Sequence, residues 1–210
     1  MCVPTKEHTF STKAVKTSLL HHDARSEALA QLSCFRGEFY ACLTARSDAL
    51  FEPADAVLCG DGADTVTVSG FDMSVIGDGG NDELVDFGDG ETGLAGGPGD
   101  DFLRTVAAGS GLSGGAGDDT LVGGNNSQSF DGGGGKDLVR GGPGPDRMTG
   151  GGGADELIGG QAKDTMIGGG GNDTFRAKDG FRDVLRGDSG TDRAHIDQGL
   201  DELNSIERLF

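Results

Sequence analysis

The chain has 210 residues, 41 of them glycine, with 34% hydrophobic and 6% aromatic residues and a formal net charge of −18. So little apolar material leaves a conventional globular core thin, and such acidity excludes nucleic-acid binding by the glycine-rich part, because phosphate contacts need Lys and Arg clusters. No apolar run has the length of a signal-peptide core or a membrane span.

Residues 1–53 form a polar and helical N-terminal segment. Asp23 suits a helix start, and Ala28, Leu32, Phe35, Phe39, Cys42 and Leu43 make one apolar stripe at helical spacing. Pro53 ends that element. Cys2, Cys34, Cys42 and Cys59 make neither a CxxC redox pair nor a zinc pattern, and His8, His21 and His22 read as solvated. The stretch LSCFRGEFYACLTARSDALFEPADAVLC (Leu32–Cys59) weakly resembles the N-terminal segment of an actinobacterial transposase family. It contains no catalytic acid of such enzymes, and no transposase activity is assigned from it.

Repeats begin at Cys59. CGDGADTVT and GDGGNDELV hold aspartate and an apolar residue at matching places, Asp64 with Val66 and Asp82 with Leu84. Between them Val68–Ile76 keeps only Val75. Asp86–Leu94 is degenerate, with Gly93 at the apolar place and one extra residue before GGPGDDFLR; Thr105–Ser113 keeps Leu112 without the aspartate. From Gly114 to Arg176 the period of nine is strict: GGAGDDTLV, GGNNSQSFD, GGGGKDLVR, GGPGPDRMT, GGGGADELI, GGQAKDTMI and GGGGNDTFR. Such a period outranks every other signal in fixing the fold.

Clustered glycines allow a tight turn with positive φ and leave carbonyls unshielded. The short polar–apolar–polar run after each turn suits a very short strand with one side chain facing in. Nine residues therefore make half a coil, and like places eighteen residues apart stack roughly 4.8 Å apart. The expected fold is all-β, a parallel β-roll or β-helix solenoid. Stacking builds a column of carboxylates, repulsive alone, which carbonyls and a cation relieve. Calcium takes about six to eight oxygen ligands and tolerates irregular geometry, whereas oxygen-only ligands argue against zinc or copper.

The nonapeptides are very similar to the RTX (haemolysin-type) calcium-binding repeat, GGxGxDxUx with U apolar. The resemblance implies calcium ions held between turns by carbonyls and sixth-place aspartates. On this register one column runs Asp64, Asp82, Asp101, Asp119, Asp137, Asp155 and Asp173, with Asp192 a candidate last member. The other runs Glu91, Ser110, Gln128, Asp146 and Asp164, and Ser110 and Gln128 should leave that side weakly occupied or empty. The expected carbonyl donors are Gly115, Gly117, Gly133, Gly135, Gly142, Gly144, Gly151, Gly153, Gly169 and Gly171.

After Arg176 the segment AKDGFRDVLRGDSGTDRAHID resembles the closing part of RTX arrays. Leu200, Leu203, Ile206, Leu209 and Phe210 in the tail suit a cap, which an open solenoid end requires. The division is thus 1–53, a calcium-binding β-roll over 54–196 and a C-terminal cap over 197–210. Gly111–Gly115 matches GxSxG and Gly187–Gly190 matches GDSG, but both fall in repeat register, and His195 is the only histidine beyond position 22. Gly135-Lys136 is no phosphate loop, with Phe130 and Asp137 at the flanking places. The reading is a non-enzymatic calcium-binding protein, secreted or extracellular, that folds on calcium, with type I secretion machinery as a partner. The alternative is the repeat region of a secreted hydrolase or toxin whose catalytic domain lies elsewhere.

Overall fold

The computed structural model describes residues 56–210, apart from 70–72 and 89, together with the backbone of 30–35 and 38–44. Before residue 56 the described backbone is two strands, β1 (Ala30–Phe35) and β2 (Glu38–Thr44), paired antiparallel. The helix expected between Asp23 and Leu50 has no counterpart in them and otherwise lies outside the described residues.

The remaining strands alternate between two sheets. One takes β4 (Thr65–Ser69), β6 (Glu83–Asp86), β8 (Phe102–Thr105), β10 (Thr120–Val122), β12 (Leu138–Gly142), β14 (Glu156–Gly160), β16 (Thr174–Arg176), β18 (Arg193–His195) and β20 (Arg208–Leu209). The other takes β3 (Ala56–Leu58), β5 (Met73–Ile76), β7 (Thr92–Pro98), β9 (Gly111–Ala116), β11 (Ser129–Gly134), β13 (Arg147–Gly152), β15 (Thr165–Gly170), β17 (Val184–Ser189) and β19 (Glu202–Asn204). Every neighbouring pair among these is parallel, as in Leu121 against Val139 and Phe130 against Met148. The result is an all-β parallel solenoid of about eight turns, with no helix among the described residues.

Strand periodicity explains the core. Each strand alternates out and in, so a coil contributes one inward residue from each side. One ladder is Val66, Leu84, Leu103, Leu121, Val139, Leu157, Phe175 and Ala194; the facing ladder is Val75, Leu94, Leu112, Phe130, Met148, Met166 and Leu185. All are buried, and each large one contributes about 1.5–3 kcal/mol by leaving water.

One register differs from expectation. Leu94, not Gly93, faces the core, stacked between Val75 and Leu112. The extra residue therefore sits inside the turn after Asp86 and not before Gly96. A one-residue slip in β7 would have buried glycine and exposed leucine, so the slack is taken up by the turn. In the tail, β19 and β20 extend both sheets, but only Ile206 packs on the core; Leu200, Leu203, Leu209 and Phe210 are exposed.

Candidate metal centre

Between strands the chain reverses in short turns that stack along two edges of the roll. On the first edge the sixth-place residues are Asp64, Asp82, Asp101, Asp119, Asp137, Asp155, Asp173 and Asp192, all buried. Each aspartate from Asp82 onward offers one oxygen to the backbone of the coil before it. The Asp119 N–H donates to Asp137 Oδ1 at 2.9 Å, and the Asp137 N–H donates to Asp155 Oδ1 at 2.8 Å. The second edge repeats the pattern from residue 128: the Gln128 N–H donates to Asp146 Oδ1, Asp146 to Asp164 and Asp164 to Asp183.

The other oxygen has no protein partner. Oδ2 of Asp82, Asp101, Asp119, Asp137, Asp146, Asp155, Asp164, Asp173, Asp183 and Asp192 is buried and unbonded, as are both carboxylate oxygens of Asp64. The glycines show where these atoms point. A β-carbon on Gly132, at the first place of its turn, would strike Asp137 Oδ2 and the Gly150 carbonyl oxygen together. Gly96, Gly114, Gly141 and Gly150 stand in the same relation to Asp101, Asp119, Asp146 and Asp155 and to the carbonyl one coil on. An orphan carboxylate oxygen and a neighbouring carbonyl thus face one small space in turn after turn.

The turn backbone is built for that approach. Gly133 and Gly135 adopt φ of 107° and 136°, and a β-carbon on either would run into the carbonyl of Gly115 or Gly117. Of the ten glycines expected as donors only Gly144 lacks a left-handed φ, since it precedes Pro145, which favours extended backbone.

Buried negative charge without a partner is costly, and the carboxylates respond. Burial, with smaller repulsion from neighbouring aspartates, pushes Asp119 and Asp164 up to about 7 against the pull of their backbone hydrogen bonds. Asp64, Asp146, Asp155, Asp173 and Asp183 rise to about 6, and Asp82, Asp101, Asp137 and Asp192 are raised as well, in each case chiefly by burial. Among the described residues no three His, Cys, Asp or Glu side chains converge on one point. The oxygen donors the turns do present, carboxylate and carbonyl, fit calcium and suit neither zinc nor copper.

Residues 112–139, 131–166 and 140–175 match the family model described as RTX calcium-binding nonapeptide repeat (4 copies). These residues are RTX calcium-binding repeats. No curated protein matches the chain.

The RTX segment coincides with the stretch of unbroken period, and the carboxylate columns run beyond it at both ends. Asp192 joins the first column, accepting from the Asp173 N–H at 2.8 Å, and Glu207 follows, accepting from the Asp192 N–H at 2.7 Å. Asp183 and Asp201 extend the second column. Asp183, Asp201 and Glu207 escape the sequence reading because their steps depart from a glycine-marked turn. The nineteen-residue step from Asp164 to Asp183, the same as from Asp173 to Asp192, is the signal that would have found the first.

On the second edge before residue 141 the chemistry changes. Thr92, not Glu91, occupies the stacked place, and its N–H donates to Ser110 Oγ at 3.0 Å. Thr105 takes the first place of the next turn, its hydroxyl donating to Asp86 Oδ2 at 3.1 Å and accepting from the Ala107 N–H at 3.0 Å. Gln128 Nε2 donates to the Ala107 carbonyl at 2.8 Å. Ser113 of the GxSxG match is exposed on β9, and His195 stacks on Phe210 with ring centroids 5.6 Å apart.

Proposed function

We propose that the roll binds several calcium ions, that binding drives its folding, and that the protein serves outside the cell as a non-enzymatic structural or secretion-assisting module. The ligands on this reading are Asp64, Asp82, Asp101, Asp119, Asp137, Asp146, Asp155, Asp164, Asp173 and Asp192, with carbonyls of the turn glycines. The observation that carries it is the row of buried, unbonded Oδ2 atoms, which at Asp82, Asp101, Asp119, Asp137, Asp146 and Asp155 sit beside a glycine carbonyl. A protein that had to fold without a cation would lose by keeping them. At a net charge of −18 the ion-free chain repels itself, so folding and metal binding are one process. Affinity in the range of about 10⁻⁴–10⁻³ M suits extracellular calcium. Within a producing cell such a chain stays unfolded, which favours passage through type I secretion machinery.

Far-UV circular dichroism during a calcium titration, with magnesium as control, tests this. The expected result is a coil-to-β transition between about 0.1 and 10 mM calcium that magnesium does not reproduce. An unchanged spectrum through that range would refute the reading.

A further inference from the structure

Beyond the RTX match, which ends at residue 175, the second edge closes with a loop unlike the others. Ala177–Asp183 has no glycine pair; it reads AKDGFRD, with aspartates four apart. Eighteen residues later Asp197–Asp201, DQGLD, repeats that spacing and stacks on it.

The four carboxylates divide into two kinds. Asp197 and Asp201 are spent on backbone. Asp197 Oδ2 accepts from the Asp179 and Gly180 N–H groups at 2.9 and 2.6 Å. Asp201 Oδ1 accepts from the Asp183 N–H at 3.0 Å, and its Oδ2 from the Asp197 N–H at 2.8 Å. They clamp the loop from the following coil. Asp179 and Asp183 each spend one oxygen, on the Phe181 and Asp164 N–H groups, and each keeps a buried Oδ2 with no partner. Asp183 is fully buried, and the charges acting on it are those of Asp179, Asp201 and Asp197. Among the described residues the charges acting on Asp179 and Asp183 are all aspartates, while Arg182 pairs with Glu202 and Arg186 with Asp188.

We propose that the 177–183 loop holds a further divalent cation, calcium by its oxygen donors, between the Asp179 and Asp183 carboxylates. In a nonapeptide turn one aspartate faces glycine carbonyls. Here a second carboxylate from the same loop replaces the glycine pair, and the Asp197–Asp201 clamp fixes both. This site lies outside the repeat consensus and rests on the calcium reading above. It ties the last coil of the second edge to the tail.

The test counts calcium ions bound at saturation by the full chain at pH 8, using equilibrium dialysis with calcium alone. Asp179→Asn keeps an oxygen for the Phe181 N–H and removes the charge; Asp188→Asn, paired on the surface with Arg186, is the control. The expected result is one ion fewer in D179N and an unchanged count in D188N. Equal counts in D179N and the parent chain would overturn this site while leaving the calcium reading intact, whereas no calcium bound by the parent chain would overturn both. Should D179N fail to give the β spectrum, the carboxyl carbon resonances of Asp179 and Asp183 in the parent chain decide. With the chain held in its β form, both shift when saturating calcium is exchanged for strontium if they are ligands, and unmoved resonances dismiss the site.

Discussion

Along the first edge of the roll a buried aspartate closes every turn from Asp64 to Asp192; along the second edge the corresponding places at 92, 110 and 128 hold Thr, Ser and Gln before aspartate returns at 146. Strand pairing and core ladders are the same on both sides, so the difference belongs to the turns. Where the carboxylate is missing, the turn has also lost features that would admit it. Thr105 fills a first place that is glycine in every turn from Gly114 to Gly168, and no residue from 123 to 128 has a left-handed φ. The first edge carries a row of unbonded charged oxygens, whereas the upstream second edge is lined by neutral groups that make hydroxyl and amide hydrogen bonds and leave, among the described residues, only Thr92 Oγ1 and Gln128 Oε1 without a partner. Two solutions to the same turn therefore coexist in one solenoid, one lined by carboxylates and one by neutral polar side chains.

The largest effect should come from removing a mid-column carboxylate. Asp137→Asn neutralises an oxygen facing the Gly132 turn and the coil beyond it. It should raise the calcium midpoint for folding by at least about tenfold, since even outer-shell changes at metal sites cost about that much. Ser110→Ala on the other edge should leave the number of bound ions unchanged. It removes the acceptor of the Thr92 N–H and should cost about 1–3 kcal/mol in denaturant unfolding at saturating calcium. Equal ion counts for D137N and the parent chain would erase the distinction between the edges.

Acidity probes the same contrast without mutation. Asp119 and Asp164 rise from 3.8 to about 7 on folding and Asp155 to about 6, chiefly by burial, and the other buried aspartates of both columns rise as well. Between those values the folded chain binds more protons than the unfolded one, so ion-free stability falls as pH rises through that window and is lowest above about 7. Without calcium, β-structure should therefore grow on acidification from pH 8 to pH 5, while calcium affinity weakens as protons compete. Circular dichroism with chelator, and calcium titrations at the two pH values, check both halves. A pH-independent calcium midpoint would contradict the assignment of these groups as ligands.

How much of this was legible in the sequence follows from what fixes each feature. The apolar eighth place, Leu121 to Phe175, is dictated by burial and reads directly as two ladders. The nine aspartates expected at sixth places are all buried in register, because period and glycine marked them. Glycine spacing alone did not show the slip at Leu94, for the extra residue hides in an irregular turn and only the need to bury leucine reveals its place. Asp183, Asp201 and Glu207 were missed for the converse reason. Their turns lack the glycine pair, and the stacking that aligns them arises from strand pairing on the finished coil.

Restoring the missing chemistry asks whether turn and carboxylate must change together. Gln128→Asp alone puts a charge into a turn with no left-handed residue and should weaken the ion-free state without adding a site. Asn126→Gly combined with Gln128→Asp supplies the fourth-place glycine and the sixth-place carboxylate, facing Asp146 across one coil. The double variant should bind one more calcium than the parent chain. An unchanged ion count would mean that the second edge is closed to calcium by something beyond these two residues.

The smallest effect isolates the backbone from the ion. Ala162 occupies a fourth place on the second edge and holds φ of 84°, the left-handed conformation that glycine takes at Gly135. A β-carbon in that region costs roughly 1–2 kcal/mol, so the turn is held there by its neighbours at a loss. Ala162→Gly relieves the strain and gives back part of the gain through the freer unfolded chain, roughly 0.4–1 kcal/mol. A net stabilisation of about 0.5–1 kcal/mol is expected in denaturant unfolding at saturating calcium, with the ion count unchanged. Ala154→Gly, a fifth-place residue without positive φ, has no strain to relieve and should instead destabilise by a similar amount. The opposite signs of the two alanine changes are the measurement: if both destabilise, the strained turn at Ala162 is paid back by contacts of its methyl group, and glycine at the fourth place is there for the ion and not for the fold.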